Sequence, residues 1–310
     1  MNGPFPAQHG TPSGRTAATG SALVGLIGAN IKSSLSPALH EDAFAAAGLR
    51  GHYHLMDLDL LPGRTLAELL ASVRAAGFAG VNVTYPCKEA VLPLLDAVSA
   101  EARDIGAVNT VTIAPDRSTV GYNTDRIGFR RAFEETFGRG PVEGATALLI
   151  GAGGAGRAVA FSLFDLGVAT LLVHDLARTR AVALADELAQ RFGPGRARAA
   201  SDAAAALAEA AGVVNATPVG MLGIPGNPVP MAALEPRHWV ADVIYTPLET
   251  QLVTGARAIG ARAMGGSAMC VHQAAESFRL FTGLVPDIAR MRRTFADAAA
   301  AREATLARAG

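Results

Sequence analysis

Short apolar runs broken by glycine alternate along this chain with longer stretches whose apolar residues recur at helical spacing, and that alternation predicts repeated strand-helix units. Residues 22–28 read as a first buried strand, followed by a helix over 38–47 that Gly48 closes. A second strand is expected over 52–59 and an amphipathic helix over 65–76, ended by Gly77. The third strand, 80–84, runs through Tyr85-Pro86 into a helix that opens at Cys87. Residues 105–113 and 118–123 predict two strands joined by the turn Ala114-Pro115-Asp116-Arg117, with a helix over 126–136 beyond them. Strands at 147–150, 170–173, 212–218 and 238–245 then alternate with helices at 179–191, 201–211 and 248–259. The last helices begin near Ala268 and Asp287, and no internal repeat of solenoid length is present.

One strand-turn-helix unit carries more than its periodicity. Gly151, Gly153 and Gly156, within Gly151-Ala152-Gly153-Gly154-Ala155-Gly156, fall at the GxGxxG spacing. The first glycine permits a tight turn, the second lets backbone approach a pyrophosphate, and the third allows close helix packing. The helix that follows presents unpaired N–H groups and its positive dipole end to the phosphates. The next strand ends at His174-Asp175, which puts an acid about 20 residues beyond Gly156, where a ribose hydroxyl needs an acceptor. The expected fold class is therefore α/β with two domains: an N-terminal α/β substrate domain and a Rossmann-type dinucleotide-binding domain, with an active-site cleft between them. The boundaries read from the pattern are a leader over 1–20, a substrate-binding domain over 21–125 completed by C-terminal helices at about 277–310, and an NAD-binding domain over 126–276.

Composition narrows the ligand class. The 310 residues suffice for two domains, and half of them are hydrophobic, yet no run approaches the roughly 18 uninterrupted apolar residues of a membrane span. Basic and acidic residues balance at 27 each, so the broad positive field of a nucleic-acid or anionic-membrane binder is missing and a small-molecule partner is expected. Cys87 and Cys270 have neither CxxC nor metal-ligand spacing, which suggests no disulfide framework and no metal site; a reducing cytoplasm fits. The stretch 1–20, rich in Gly, Pro, Ser and Thr and without a signal-peptide core, reads as disordered.

Polar residues gather at predicted strand ends. Asn82, Thr84, Lys88, Asn109 and Asp125 all fall at strand ends or just beyond, on one predicted edge, with Lys88 near the carboxyl edge of the sheet, where open α/β folds bind ligands. Lys88 sits in a first helical turn, unfavourably placed against the helix dipole, which argues for chemistry over a solvated charge. Asp125 or Thr124 also reads as a helix cap, and Ser36 before Pro37 as another; Ser34 and Ser36 equally offer two hydroxyls to a ligand carboxylate. Asn215, Ala216 and Thr217 follow a strand beside the expected cofactor, or serve turn chemistry.

Taken together, Ser34-Leu35-Ser36-Pro37, Asn82-Val83-Thr84-Tyr85-Pro86-Cys87-Lys88-Glu89, Gly106-Ala107-Val108-Asn109-Thr110, Gly121-Tyr122-Asn123-Thr124-Asp125, the glycine loop, Asn215-Ala216-Thr217-Pro218 and Val271-His272-Gln273-Ala274-Ala275 resemble the shikimate dehydrogenase family, and within it the quinate/shikimate branch. The resemblance implies reversible hydride transfer between C3 of shikimate and C4 of a nicotinamide. It implies that Ser34, Ser36 and Tyr245 hold the substrate carboxylate, while Asn82, Thr84, Lys88, Asn109, Asp125 and Gln273 surround the ring hydroxyls. Lys88 is then the proton acceptor and Asp125 its orienting partner. Val243, Gly266 and Met269 join the glycine loop, Asp175 and the 215–217 turn as the implied cofactor set. Asp175-Leu176-Ala177 stands where NADP-using members carry Asn-Arg-Thr, so NAD is expected over NADP. Gly265 replaces the aspartate common in the family, and Ser36 stands where quinate-using members often carry Thr, which leaves shikimate and quinate both open. A homodimer is the protein partner that the resemblance allows. Two rivals compete with this reading. A non-catalytic sensor on the same fold would have no reason to keep Lys88 with Asp125, and Ser34, Ser36 and Gln273 argue against a methylene-tetrahydrofolate dehydrogenase.

Overall fold

The computed structural model describes residues 20–309, so the leader read before residue 20 lies outside the described residues. The alternation of apolar runs builds two six-stranded sheets. The first holds β1 (Ser21–Gly28), β2 (Arg50–Asp57), β3 (Gly80–Val83), β4 (Ala97–Val98), β5 (Thr110–Ile113) and β6 (Thr119–Tyr122), in the order β2-β1-β3-β5-β6-β4. β1 is parallel to β2 and β3, whereas β5 runs antiparallel to β3 and β6. The second sheet holds β7 (Thr146–Ile150), β8 (Thr170–His174), β9 (Ala197–Ala199), β10 (Gly212–Asn215), β11 (Trp239–Asp242) and β12 (Arg262–Met264), all parallel, in the order β12-β11-β10-β7-β8-β9. The order reverses between β7 and β10, the switch point at which doubly wound sheets open a crevice for a dinucleotide.

The helices are α1 (Ser36–Ala46), α2 (Leu66–Ala75), α3 (Cys87–Ala90), α4 (Ala100–Ile105), α5 (Thr124–Phe137), α6 (Gly154–Asp165), α7 (Arg178–Phe192), α8 (Ala203–Glu209), α9 (Gln251–Ala258), α10 (Ser267–Thr282) and α11 (Ile288–Ala309). α5 carries the chain from the first sheet to the second, and α10 brings it back. The two cross at near backbone contact: a Cβ on Gly128 would meet the Gln273 amide nitrogen and the Met269 carbonyl at 3.0 Å each. One stripe of α5, Phe129, Phe133 and Phe137, is buried against the second sheet, with Phe133 edge-on to Trp239 at 5.0 Å. Each such ring contributes on the order of 1.5–3 kcal/mol by leaving water. α10 divides its apolar surface: Met269 joins the core of the second sheet, while Cys270, Val271, Ala274, Phe278 and Phe281 pack with α1 and α11 on the first.

Several local expectations change for identifiable reasons. Residues 105–108 belong to no strand: Ser99 Oγ caps α4 by accepting from the Ala102 amide, and Gly106 ends that helix at φ +71. Leu35 precedes the first turn of α1, so Ser36 is helical and not its cap; the Ser36 amide is met by Ser34 Oγ at 3.2 Å. α5 is capped by Asn123, whose Oδ1 accepts from the Asp125 and Arg126 amides, and neither Thr124 nor Asp125 does this work. α3 is a single turn, too short for a macrodipole to act on Lys88. The edge strands β4, β9 and β12, of two or three residues, carry no period that a sequence can display.

Candidate active site

Where the two sheets face each other, Lys88 and Asp125 form a short ion pair, Nζ donating to Oδ2 at 2.5 Å. Their side chains are 18% and 8% exposed, respectively. Because Asn123 caps α5, the Asp125 carboxylate is released from its own helix and reaches across to α3. Its other oxygen, Oδ1, accepts from Asn109 Nδ2 at 2.9 Å, and Asn109 Oδ1 accepts in turn from the Thr124 amide at 2.7 Å. Every contact that orients the carboxylate thus comes from a neighbour that is itself held. Removing one member of so buried a pair leaves an uncompensated charge, typically a cost of about 3–5 kcal/mol. The stem of Lys88 lies against the glycine loop of the second sheet, its Cδ 3.3 Å from where a Cβ on Gly154 would stand.

Behind this pair a buried polar network joins β2, β3, β5, α5 and α10. Tyr53 Oη donates to Asn82 Oδ1 at 2.8 Å, and Asn82 Nδ2 reaches Thr110 Oγ1 at 2.9 Å and Ser277 Oγ at 3.0 Å. Ser277 donates to the Gln273 carbonyl one turn earlier on α10, and the Gln273 side chain meets Thr124 Oγ1 at 3.5 Å. Tyr53 stacks on His40 at 4.7 Å, and the Ser36 hydroxyl lies beside its phenol. Burial pushes the phenols of Tyr53 and Tyr245 well above their ordinary range and the Cys270 thiol up to about 12, so all three keep their protons. Ser34, on the loop after β1, and Ser36, the first residue of α1, stay partly exposed, and Thr84 packs its methyl over Gly28 at the base of that loop. Tyr245 follows β11 and sets its ring edge-on to Phe295.

The glycine loop has the shape that its spacing predicts. Gly151 turns at φ +100, with the Ala216 carbonyl 2.7 Å from the position of a Cβ, and a Cβ on Gly156 would stand 2.0 Å from the Gly151 carbonyl. Gly153, by contrast, has open space there, on the side from which a pyrophosphate would approach the start of α6, where Ala155 also lies. Asp175 follows β8 with both oxygens engaged by backbone: Oδ2 accepts from the Ala152 amide and Oδ1 from the Ala177 amide, each at 2.8 Å. Leu176 beside it is 94% exposed. Across the switch point, Asn215 Oδ1 accepts from Thr217 Oγ1 at 2.7 Å, and Asn215 Nδ2 donates to Asp242 Oδ1 at 3.0 Å. Val243 and Gly266 come together tightly, since a Cβ on Gly266 would meet the Val243 carbonyl at 2.2 Å, and Met269 lies one helical turn further on.

Lys88, Asp125 and Asn109 are thus in direct contact, Asn82 and Gln273 are linked to them through Thr110, Thr124 and Ser277, and the serine loop and Tyr245 approach from either side. Tyr53, Thr110 and Ser277 were not singled out in the sequence. The one sequence signal for them is spacing: Thr110 follows Asn109 directly, and Ser277 falls one helical turn after Gln273.

A buried Lys–Asp pair set against the glycine loop of a parallel, doubly wound sheet is the arrangement expected of a two-domain α/β dehydrogenase. Residues 26–111 match the family model described as shikimate dehydrogenase substrate binding domain, and residues 266–294 match shikimate 5'-dehydrogenase C-terminal domain. A quinate/shikimate dehydrogenase (NAD(+)) of Corynebacterium efficiens is 49% identical over 89% of this chain and 98% of its own. A shikimate dehydrogenase (NADP(+)) of Streptomyces avermitilis is 46% identical over 87% of this chain and 94% of its own. The solved quinate dehydrogenase from Corynebacterium glutamicum in complex with NAD superposes with a TM-score of 0.84 at 43% identity, covering 89% of this chain and 99% of that one. The chain belongs to the shikimate dehydrogenase family.

Proposed function

We propose that this chain is an NAD-dependent quinate/shikimate dehydrogenase that interconverts shikimate and 3-dehydroshikimate, with quinate and 3-dehydroquinate as a second substrate pair. The observation that carries the reading is the Lys88–Asp125 pair set directly against Gly154 of the glycine loop, so that proton-transfer groups and nucleotide loop share one cleft. Residues 21–125 with the C-terminal helices serve as the substrate domain and 126–276 as the nucleotide domain, α10 crossing between them.

The residues present fit a dinucleotide. The open position at Gly153 admits a pyrophosphate to the amides at the start of α6, and the Asp175 carboxylate offers its remaining lone pairs to ribose hydroxyls. Gly151, Ala152, Gly154, Ala155 and Gly156 complete that cradle, and Asn215, Ala216, Thr217, Val243, Gly266 and Met269 line its nicotinamide end. When bound, NAD supplies the hydride acceptor and donor. Ser34, Ser36 and Tyr245 hold the substrate carboxylate; Asn82, Thr84, Asn109 and Gln273 hold the ring hydroxyls. As the free amine, Lys88 Nζ takes the proton of the reacting hydroxyl during oxidation; as the ammonium paired with Asp125 it gives that proton back during reduction, while Asp125 keeps Nζ in place. Asn109 fixes Asp125, so the proton relay is oriented before substrate arrives.

No helix among the described residues is long and apolar enough to cross a membrane. A cytoplasmic location and a homodimer belong to the same proposal, supported by two free buried cysteines and by the family, respectively. Initial rates with shikimate and with quinate, each with NAD and NADP, test the whole reading. Turnover of either acid with NAD, and much slower turnover with NADP, is expected; no turnover of either acid would overturn it.

A further inference from the structure

α11 extends past residue 294, where the matched family segment ends, and the extension touches the site twice. Phe295 packs against the Tyr245 ring at 5.9 Å. Two turns further along, the Arg302 guanidinium donates through one terminal nitrogen to the Ser33 carbonyl at 3.2 Å and through the other to the Tyr245 carbonyl at 3.3 Å. Its Nε is buried and has no partner among the described residues. Ser33 belongs to the loop of the first sheet that carries Ser34 and leads into α1 at Ser36; Tyr245 belongs to the turn after β11 of the second.

We propose that Arg302 is a positioning residue, a clasp that joins the serine loop to the Tyr245 turn and so sets the spacing of the three groups assigned to the substrate carboxylate. The inference rests on the proposed function for the identity of that ligand, and on geometry alone for the clasp. A planar fork suits the task, because two terminal nitrogens in fixed directions each reach one carbonyl, where a lysine has a single nitrogen on a flexible stem. The charge also faces the site: burial pushes the Tyr245 phenol and the Cys270 thiol up, and the Arg302 cation opposes that rise in both. A substrate carboxylate bound between Ser34 and Tyr245 meets the same favourable field.

The test uses the full chain and its Arg302→Ala and Arg302→Lys variants. With NAD saturating, Arg302→Ala raises the KM for shikimate about tenfold, the fold-change of one charge-assisted contact, while kcat and the KM for NAD stay within about twofold. Arg302→Lys, with charge but a single point of contact, falls between. The methyl ester of shikimate lacks the carboxylate charge, so the Arg302→Ala penalty shrinks with it. Equal penalties for acid and ester, or a loss confined to kcat, would overturn the assignment to the carboxylate. Hydrogen exchange of the ligand-free protein tests the clasp without any substrate: in Arg302→Ala, amides of 29–36 and of 243–247 both exchange faster. Unchanged exchange, or a change in one segment alone, would refute a clasp. If the unmodified protein turns over neither acid, the proposed function falls, and the exchange result still decides whether Arg302 joins the two segments.

Discussion

Replacing Asp175 by Asn probes cofactor choice with little change of shape. The carboxylate is held by the Ala152 and Ala177 amides at 2.8 Å each, so it cannot swing away from a 2'-phosphate placed at the ribose it faces. Two unit charges about 4 Å apart at an effective dielectric of about 20 repel by about 4 kcal/mol. The group is partly exposed, and solvent and salt reduce that to about 1–3 kcal/mol, or roughly 10- to 100-fold in discrimination against NADP. Leu176 beside it is apolar, and the Asp175 carboxylate pairs with backbone amides and with no cation among the described residues; Arg178 and Arg180 at the start of α7 are exposed. Asp175→Asn keeps one acceptor for the loop, so kcat/KM with NADP rises by about that factor while the value with NAD falls by less. Asp175→Ala loses both loop bonds and weakens NAD further. The assay is kcat/KM for both cofactors at saturating shikimate, repeated at two salt concentrations, with the gap narrower at high salt. Equal efficiency with NAD and NADP in the unmodified protein, or an unaltered ratio in Asp175→Asn, would refute the electrostatic account.

Three further outcomes are expected. Lys88→Ala loses about 10²- to 10⁴-fold in kcat and keeps its NAD affinity, measured by titration of the variant; near-normal turnover with weaker substrate binding would move the base elsewhere. Gly153→Ala folds with an unchanged Tm but loses NAD affinity, since its Cβ enters space that no protein atom fills, whereas Gly156→Ala drives a Cβ to within 2.0 Å of the Gly151 carbonyl and lowers Tm; thermal melts with and without NAD separate the two. Burial pushes the Asp242 carboxyl up to about 6 from 3.8, so it favours the folded state below pH 3.8 and that contribution is lost as pH rises through 6, by up to about 3 kcal/mol. His40, held by burial down to about 3, acts in the opposite direction between pH 6.5 and 3, so the measurement is the stability difference from Asp242→Asn in urea at pH 4 and pH 7.5. A difference independent of pH would show that Asp242 does not titrate in this range.

What the sequence displays and what it hides divide along physical lines. Parallel strands bring their carboxyl ends to one edge, which places Asn82 and Lys88 at the end of β3, whereas Asn109 reaches the same edge only because β5, which it precedes, runs antiparallel to β3. Gly151, Gly153 and Gly156 were legible because a backbone constraint leaves a residue type at a fixed spacing. Caps are less legible: Asn123, Thr124 and Asp125 are all competent, and only the pull of Lys88 on one carboxylate decides that Asn123 takes the helix. The strand read over 105–108 failed because buried Ala107 and Val108 have the same apolar pattern in an extended connection as in a ladder.

The contacts that complete the site depend on the chain returning. Asn82 meets Ser277 across 195 positions, and Arg302 meets Ser33 across 269. Neither pairing follows from local periodicity, because each requires α10 to cross α5 at Gly128 and then lie on the sheet that the chain left at Tyr122. That crossing is set by a missing Cβ: Gly128 packs on the Gln273 backbone, and so governs the distance between the buried polar network and the second sheet. A larger residue there would separate α5 from α10 and carry Asp125 and Gln273 apart with them. The geometry at the proton-transfer pair is therefore a property of the helix crossing as much as of Lys88 and Asp125 themselves.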